Sequence, residues 1–283
     1  MKRTIRMWVS TLLMICPVAA QDLKVEPYGY FKVDLGYDSA LSSHGNFAMY
    51  VQPQPGGTRT ATTNLTARQT RLGLRIERET LTGRIEFDFY GGGAENKNVP
   101  VLRNAYVDVP IAGLELRAGQ APDLMSPLAP STLNYTVMWG AGNVGYRRPL
   151  VQVSDRTDHI AWGLAIARNI GADLNGDNVL DGAASCVPVV QTRIGFPMGP
   201  DTEIGFSGHY GFLKSTGATE EEYNTWSVDF DFSVQVSSRI KLLGEGYAGA
   251  NTGAYFGAVL NGDCVTDLES RGGWVNAQIE GAD

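Results

Sequence analysis

The chain has 283 residues, 43% hydrophobic and 19% charged, with 23 Lys+Arg against 30 Asp+Glu and a formal net charge of −7. That balance excludes a nucleic-acid binder, which needs clustered positive charge to hold phosphates. Past the first residues no apolar run approaches the roughly 18 positions of a spanning helix, which excludes a helical membrane protein but not one built from strands.

The opening, MKRTIRMWVSTLLMICPVAAQ, has a basic start (Lys2, Arg3, Arg6), an apolar run from Met7 to Ile15 and small residues at Val18, Ala19 and Ala20. This is the anatomy of a secretory signal peptide over residues 1–20, cleaved after Ala20. Cys16 leaves with it, because the bulky Met14 and Ile15 do not suit a lipoprotein anchor. Losing three cations leaves 20 Lys+Arg against 30 Asp+Glu, a net charge of −10. Residues 21–283 then read as one β domain. Cys186 and Cys264 lie in Gly/Asp-rich segments; in an exported chain they could form one disulfide or stay as two loop thiols.

From residue 21 onward no helical period persists for three turns, whereas period-two alternation recurs. In YGYFKVDLGYD, Tyr28, Tyr30, Lys32, Asp34 and Asp38 share one face; Phe31, Val33, Leu35 and Tyr37 share the other. RQTRLGLRIE sets Gln69, Arg71, Arg75 and Glu77 against Leu72, Leu74 and Ile76, and GRIEFDFY sets Arg84, Glu86 and Asp88 against Ile85, Phe87 and Phe89. NAYVDV, LELRAG, RRPLVQVS and HIAWGLAIA continue the pattern; VVQTRIGF, EIGFSGHY, WSVDFDFSV, RIKLLGEGYAG and GGWVNAQIE complete about twelve strands.

The connections decide what these strands enclose. Short links at ERETL, PIAG, SDRT, PMGPD and QVSS alternate with long ones at 39–65, 91–99, 120–143, 169–186, 212–224 and 249–271. A soluble sandwich has no reason to place every short turn at one end, whereas a transmembrane barrel does. Bulky Phe, Trp, Ile and Leu occupy one face of the strands, and charges with small residues the other. In lipid such a sheet must close on itself to satisfy its backbone. The predicted fold class is therefore all-β, a transmembrane antiparallel β-barrel.

The segment GQAPDLMSPLAPSTLNYTVMWGAGNVGYRRP, following LELRAG, resembles the third-loop region of the DcaP-like outer-membrane porins. PYGYFKVDLGYDS, LRNAYVDV and SRGGWVNAQIE resemble the same family, and the likeness runs from about Val25 to Ile279. The resemblance implies a homotrimer of sixteen-stranded barrels in the bacterial outer membrane, whose third loop folds into the lumen and which passes small, mainly anionic solutes. The sequence stops at GGWVNAQIEGAD without the terminal aromatic common in such barrels, so it either closes as a smaller barrel or, the reading favoured, is a porin truncated by about four C-terminal strands.

A barrel of this size leaves an aqueous lumen unless something narrows it. Residues 120–143 are suited to narrowing it, since Pro122, Pro127 and Pro130 stiffen the loop, and Leu124, Met125, Leu128, Leu133, Tyr135 and Trp139 can pack against the inner wall. The alternative is an ordinary external loop carrying an apolar patch, a liability in water. Selectivity would come from wall charges. Arg71, Arg75, Arg84, Arg117 and Arg148 have lumen parity and could bind carboxylates in two-point geometry; Asp123, Tyr135 and Trp139 join them from the loop. Glu77, Glu86, Asp88 and Glu115 face them, and the plainer reading is that these charges pair across strands. Arg147 competes with Arg148 for the lumen position if the strand is irregular beside Pro149.

In DLNGDNVLDG, Asp173, Asn175, Asp177 and Asp181 fall at positions 1, 3, 5 and 9 of a calcium loop, with the Val179 carbonyl at 7. Ala184 stands where the bidentate acid belongs, so the segment is at most a weak Ca²⁺ site in an external loop, or else an acidic turn; no cofactor is required. Catalysis lacks a motif: His44, His159 and His209 are scattered, although Ser207 and His209 share a face. Residues and resemblance together point to a non-enzymatic porin for passive diffusion of dicarboxylate-like solutes through a pore narrowed by residues 120–143. A surface carbohydrate-binding or adhesive β-protein and a barrel lipase are its competitors.

Overall fold

The computed structural model describes residues 23–41, 53–91, 98–133, 136, 138–170, 187–214, 222–258 and 267–280. The residues 1–20, the cysteines, His44, Tyr135 and the calcium-type segment with Asp173, Asn175, Asp177, Val179 and Asp181 lie outside that set. Fourteen strands are described: β1 (Lys24–Tyr30), β2 (Asp34–Asp38), β3 (Thr62–Thr66), β4 (Arg71–Arg78) and β5 (Leu81–Asp88) come first. β6 (Val101–Ile111), β7 (Leu114–Pro122), β8 (Arg147–Arg156), β9 (Ala161–Ala167) and β10 (Val189–Gly199) follow. β11 (Thr202–Lys214), β12 (Glu222–Ser237), β13 (Ile240–Ala250) and β14 (Glu269–Ile279) end the series.

Twelve of them form one antiparallel meander, β1-β4-β5 and on in sequence order to β14, while β2 and β3 pair apart. Each short link predicted from sequence is a tight turn, as between Arg78 and Leu81 or Ile111 and Leu114. Two details differ from the sequence reading. The opening strand is interrupted at residues 31–33, where the Lys32 amide donates to Thr70 Oγ1 (3.2 Å). Part of the 39–65 link is itself a strand, β3, which lengthens the hairpin beyond the main sheet.

The faces of the sheet are inverted relative to a water-soluble protein. On β12, Trp226, Val228 and Phe230 are exposed, whereas Thr225, Ser227, Asp229 and Asp231 are buried. On β9 the inward positions are Ala161, Gly163, Ala165 and Ala167, and the outward ones Trp162, Leu164 and Ile166. A ring of exposed large aliphatics and aromatics over a polar interior is stable only against lipid. Leu164 is 50% exposed at the middle of β9. In water such a position tolerates substitution within about 0.5 kcal/mol. In a bilayer, Leu164→Arg will destabilise by about 2–4 kcal/mol, measured by urea titration in lipid vesicles.

Among the described residues β1 and β14 are the two edges of the meander. Both ends nevertheless reach the same short stretch of the loop after β7: Gln278 on β14 donates to Ser131 Oγ (3.2 Å), and Lys32, just past β1, donates to the Leu133 carbonyl (3.3 Å). Two residues of extended chain span about 7 Å, so the sheet curls around this loop.

Candidate functional site

The loop between β7 and β8 begins at a buried ion pair. Arg148 and Asp123 are fully buried and joined by two charge-assisted bonds, Nε to Oδ1 (2.6 Å) and an NH2 nitrogen to Oδ2 (3.0 Å). Asp123 also accepts from Gln191 Nε2 (2.7 Å) and from the Tyr146 amide (2.8 Å), and its own amide donates to the Tyr146 carbonyl (2.8 Å). Each carboxylate oxygen thus receives two donors, which is what a buried charge requires.

From this latch the outbound limb crosses the inner face, and the wall satisfies its backbone amides. Leu124 donates to Gln191 Oε1 on β10 (2.7 Å), Ser126 to Ser207 Oγ on β11 (3.4 Å) and Leu128 to Glu245 Oε1 on β13 (2.7 Å). Leu124 also sits against Gly163, where even a Cβ would lie 3.0 Å from its Cδ1. The small inward residues of β9 thus make room for the loop. The predicted infolding of residues 120–143 takes this form, while β7 extends to Pro122 and the loop runs from Asp123 to Tyr146.

The returning limb packs on a second inward segment, a 3-10 turn at Thr252–Tyr255 after β13. Gly140 donates to the Phe256 carbonyl and Gly145 to that of Tyr255. Trp139 stacks on Phe256 with centroids 4.5 Å apart, and Arg148 lies 3.9 Å over the Tyr255 ring. Burial pushes the Tyr255 phenol above its usual pKa, so it stays neutral beneath the latch. Gly142, at φ +114°, brings its backbone against Gly273 of β14. A Cβ there has neither the conformation nor the space. Gly142→Ala will cost about 1–3 kcal/mol and raise the loop's protease sensitivity in the folded protein.

Across from the loop stands an arginine wall on β4, β5 and β6. Glu86 is its hub: Arg84 reaches Oε2 at 2.6 Å, Arg103 reaches Oε1 at 2.9 Å, and Arg71 stands 3.7 Å away. Tyr28 Oη donates to Glu86 (2.9 Å) and accepts from Arg84 Nε (2.6 Å), and Arg75 lies 4.7 Å over the Tyr28 ring. Arg75 and Arg84 are directly paired across β4 and β5, a like-charge contact that the Tyr28 ring and Glu86 offset. Arg103 also binds Asp88 at 2.6 Å.

Between wall and loop lies a cavity of about 260 Å³. Arg71, Arg84, Arg103 and Arg147 line it with the carboxylates Glu86 and Asp123, an excess of two positive charges. Ser126, Pro127, Leu128 and Trp139 form the loop side.

The structure therefore separates the residues singled out from sequence. Arg71 and Arg84 share this cavity, and Arg75 adjoins it through Tyr28. Arg117 lies elsewhere, held by Asp108 (2.7 and 2.9 Å) and stacked 4.2 Å over Tyr106. Arg148 and Asp123 depart from expectation: buried and mutually neutralised, they fix the loop and present no free charge. Arg147 faces the cavity instead, over Trp139 and Tyr146. Trp139 lines the cavity and is buried from solvent. Ser207 and His209 do not form a pair; His209 bonds Ser227 and Thr225, and Ser207 receives the loop amide.

Strand parity does not reveal Arg103 because β6 bulges there. Asn104 pairs with Glu86 and Leu102 with Phe87, so one residue is extra and the two-residue period slips. Tyr255 and Phe256 are equally hidden, since nothing in a Gly-rich link marks which part turns inward.

A comparison with curated protein sequences gives no match. Among solved structures, the outer membrane channel DcaP of Acinetobacter baumannii is similar over 91% of this chain and 73% of that one, at 18% identity and a TM-score of 0.71, which identifies the fold. An anion-selective porin from Comamonas acidovorans aligns over 81% and 68% at 14% identity and a TM-score of 0.49. A loop-deletion mutant of OmpT from Vibrio cholerae aligns over 81% and 82% at 10% identity and 0.40. The family model for the DcaP outer membrane protein matches residues 10–243, and the chain belongs to that family: it is a porin of the outer membrane.

Proposed function

We propose that this porin passes small hydrophilic anions, with a preference for compact dicarboxylates, through the gap between the inward loop and the arginine wall. The observation that carries this reading is the 260 Å³ cavity, where Arg71, Arg84, Arg103 and Arg147 outnumber the carboxylates. Guanidiniums bind carboxylates in two-point geometry, and several spaced along a wall let an anion leave one partner as it meets the next. Arg71, Arg84 and Arg103 share Glu86, so its single negative charge is spread over three guanidiniums. In this reading the sheet closes as the sixteen-stranded barrel of a homotrimer, the arrangement the family resemblance implies, and the 173–181 segment binds at most a weak external Ca²⁺.

Liposome swelling with the refolded protein tests the solute preference. Succinate will enter faster than an uncharged solute of equal size, and replacing Arg71, Arg84 and Arg103 together with Gln will erase the difference. Equal entry of the two solutes through the unaltered protein contradicts the proposal.

A further inference from the structure

The loop has two faces, and the one turned away from the cavity covers an acidic surface. The inward side chains of β12 include Ser227, Asp229 and Asp231, and Glu245 of β13 stands directly opposite Asp231. In an open lumen three carboxylates so close together would gather cations. Here they are sealed, at 5%, 2% and 6% exposure.

Loop atoms form part of the seal. The Leu128 amide donates to Glu245 Oε1 (2.7 Å), and Met125 Sδ lies 3.9 Å from Ser227 Oγ, which donates to Asp229 Oδ2 (2.7 Å). Trp274 donates to the second Glu245 oxygen (3.2 Å). Arg193 binds Asp231 (2.6 and 3.0 Å), but it is shared with Glu203. Asp229 Oδ1 is buried with no hydrogen-bond partner among the described residues. Arg156 also holds Glu203, so Asp231 is neutralised within the wall, whereas Asp229 and Glu245 have no cation partner among the described residues and depend on their cover.

From this arrangement we infer that the loop screens charge as well as narrowing the pore: by covering Asp229 and Glu245 while leaving the arginine wall to line the gap, it sets the sign of the ion selectivity. The inference rests on the anion-passing reading above and extends it. A loop that merely narrowed the lumen would change conductance without changing which ion prefers the pore.

The test uses the refolded protein in planar bilayers under a KCl gradient. Replacing residues 127–141 with a short Gly-Ser linker will shift the anion-to-cation permeability ratio toward cations by about tenfold. Adding Asp229→Asn and Glu245→Gln to that variant will restore the ratio, and the same two changes beneath the native loop will leave it unaltered. A larger conductance with an unchanged ratio after loop shortening overturns the inference.

A second measurement stands if the shortened chain does not refold. With Cys186 and Cys264 changed to Ser, Asp229→Cys in the intact protein will react with a water-soluble methanethiosulfonate at less than about one-tenth the rate of Arg84→Cys; equal rates overturn the screen. Cation preference in the unaltered protein would refute the anion reading, while the labelling rates still decide whether the acids are covered.

Discussion

Asp123→Ala will destabilise the folded protein in lipid vesicles by about 3–5 kcal/mol and raise its single-channel conductance. The carboxylate is the anionic partner of Arg148, a guanidinium with no exposure to solvent, and removing it leaves a charge where water cannot reach. The same side chain ties Gln191 on β10 and the Tyr146 amide at the loop's return, so both limbs lose their common anchor. Two effects are thereby linked: stability falls through the stranded charge, and the pore widens as the loop leaves the wall. A double variant, Asp123→Leu with Arg148→Met, separates them. Replacing both ions with apolar groups of similar size recovers most of the stability, because the desolvation cost disappears with the charges. It does not restore the two-point latch, so conductance stays high. Urea titration and single-channel recording read the two quantities independently; an unaltered conductance in both variants would show that the loop is held elsewhere.

Glu86→Gln will act in opposite directions on stability and selectivity. Glu86 is almost fully buried and receives Tyr28, Arg84, Arg103 and Asn104, with Arg71 nearby. Making it neutral leaves three guanidiniums around one amide, at a cost of about 3 kcal/mol. The excess positive charge of the cavity lining rises from two to three, so anion preference increases. Arg84→Gln reverses the second effect and lowers anion preference. A Glu86→Gln protein of unchanged permeability ratio would mean that permeating ions do not sense this wall.

Much of this fold is legible in the sequence because a membrane barrel writes its two solvents into alternate residues. The run Ala161–Ala167 shows it plainly: small residues inward, Trp162, Leu164 and Ile166 outward, with no exception to blur the period. Alternating short and long links then single out the loop after β7 as the one whose apolar content has to go inside. Legibility fails where one residue breaks the period or where burial depends on a distant segment. The bulge in β6 hides Arg103, and no parity argument sees an extra residue. Arg148 has the right face but the wrong environment, since its burial is produced by Tyr255, which arrives only after five further strands. The interruption between β1 and β2 is equally silent, because the alternation of Phe31, Val33 and Leu35 continues through it while the pairing partner changes.

On the proposed reading, the permeable gap is bounded by an arginine wall on one side and an uncharged loop face on the other. Reversal potential of the refolded protein across a KCl gradient tests this most directly. The expected sign is that of an anion-selective pore, reduced toward zero by replacing Arg71, Arg84 and Arg103 with Gln. A cation-selective potential in the unaltered protein would contradict it.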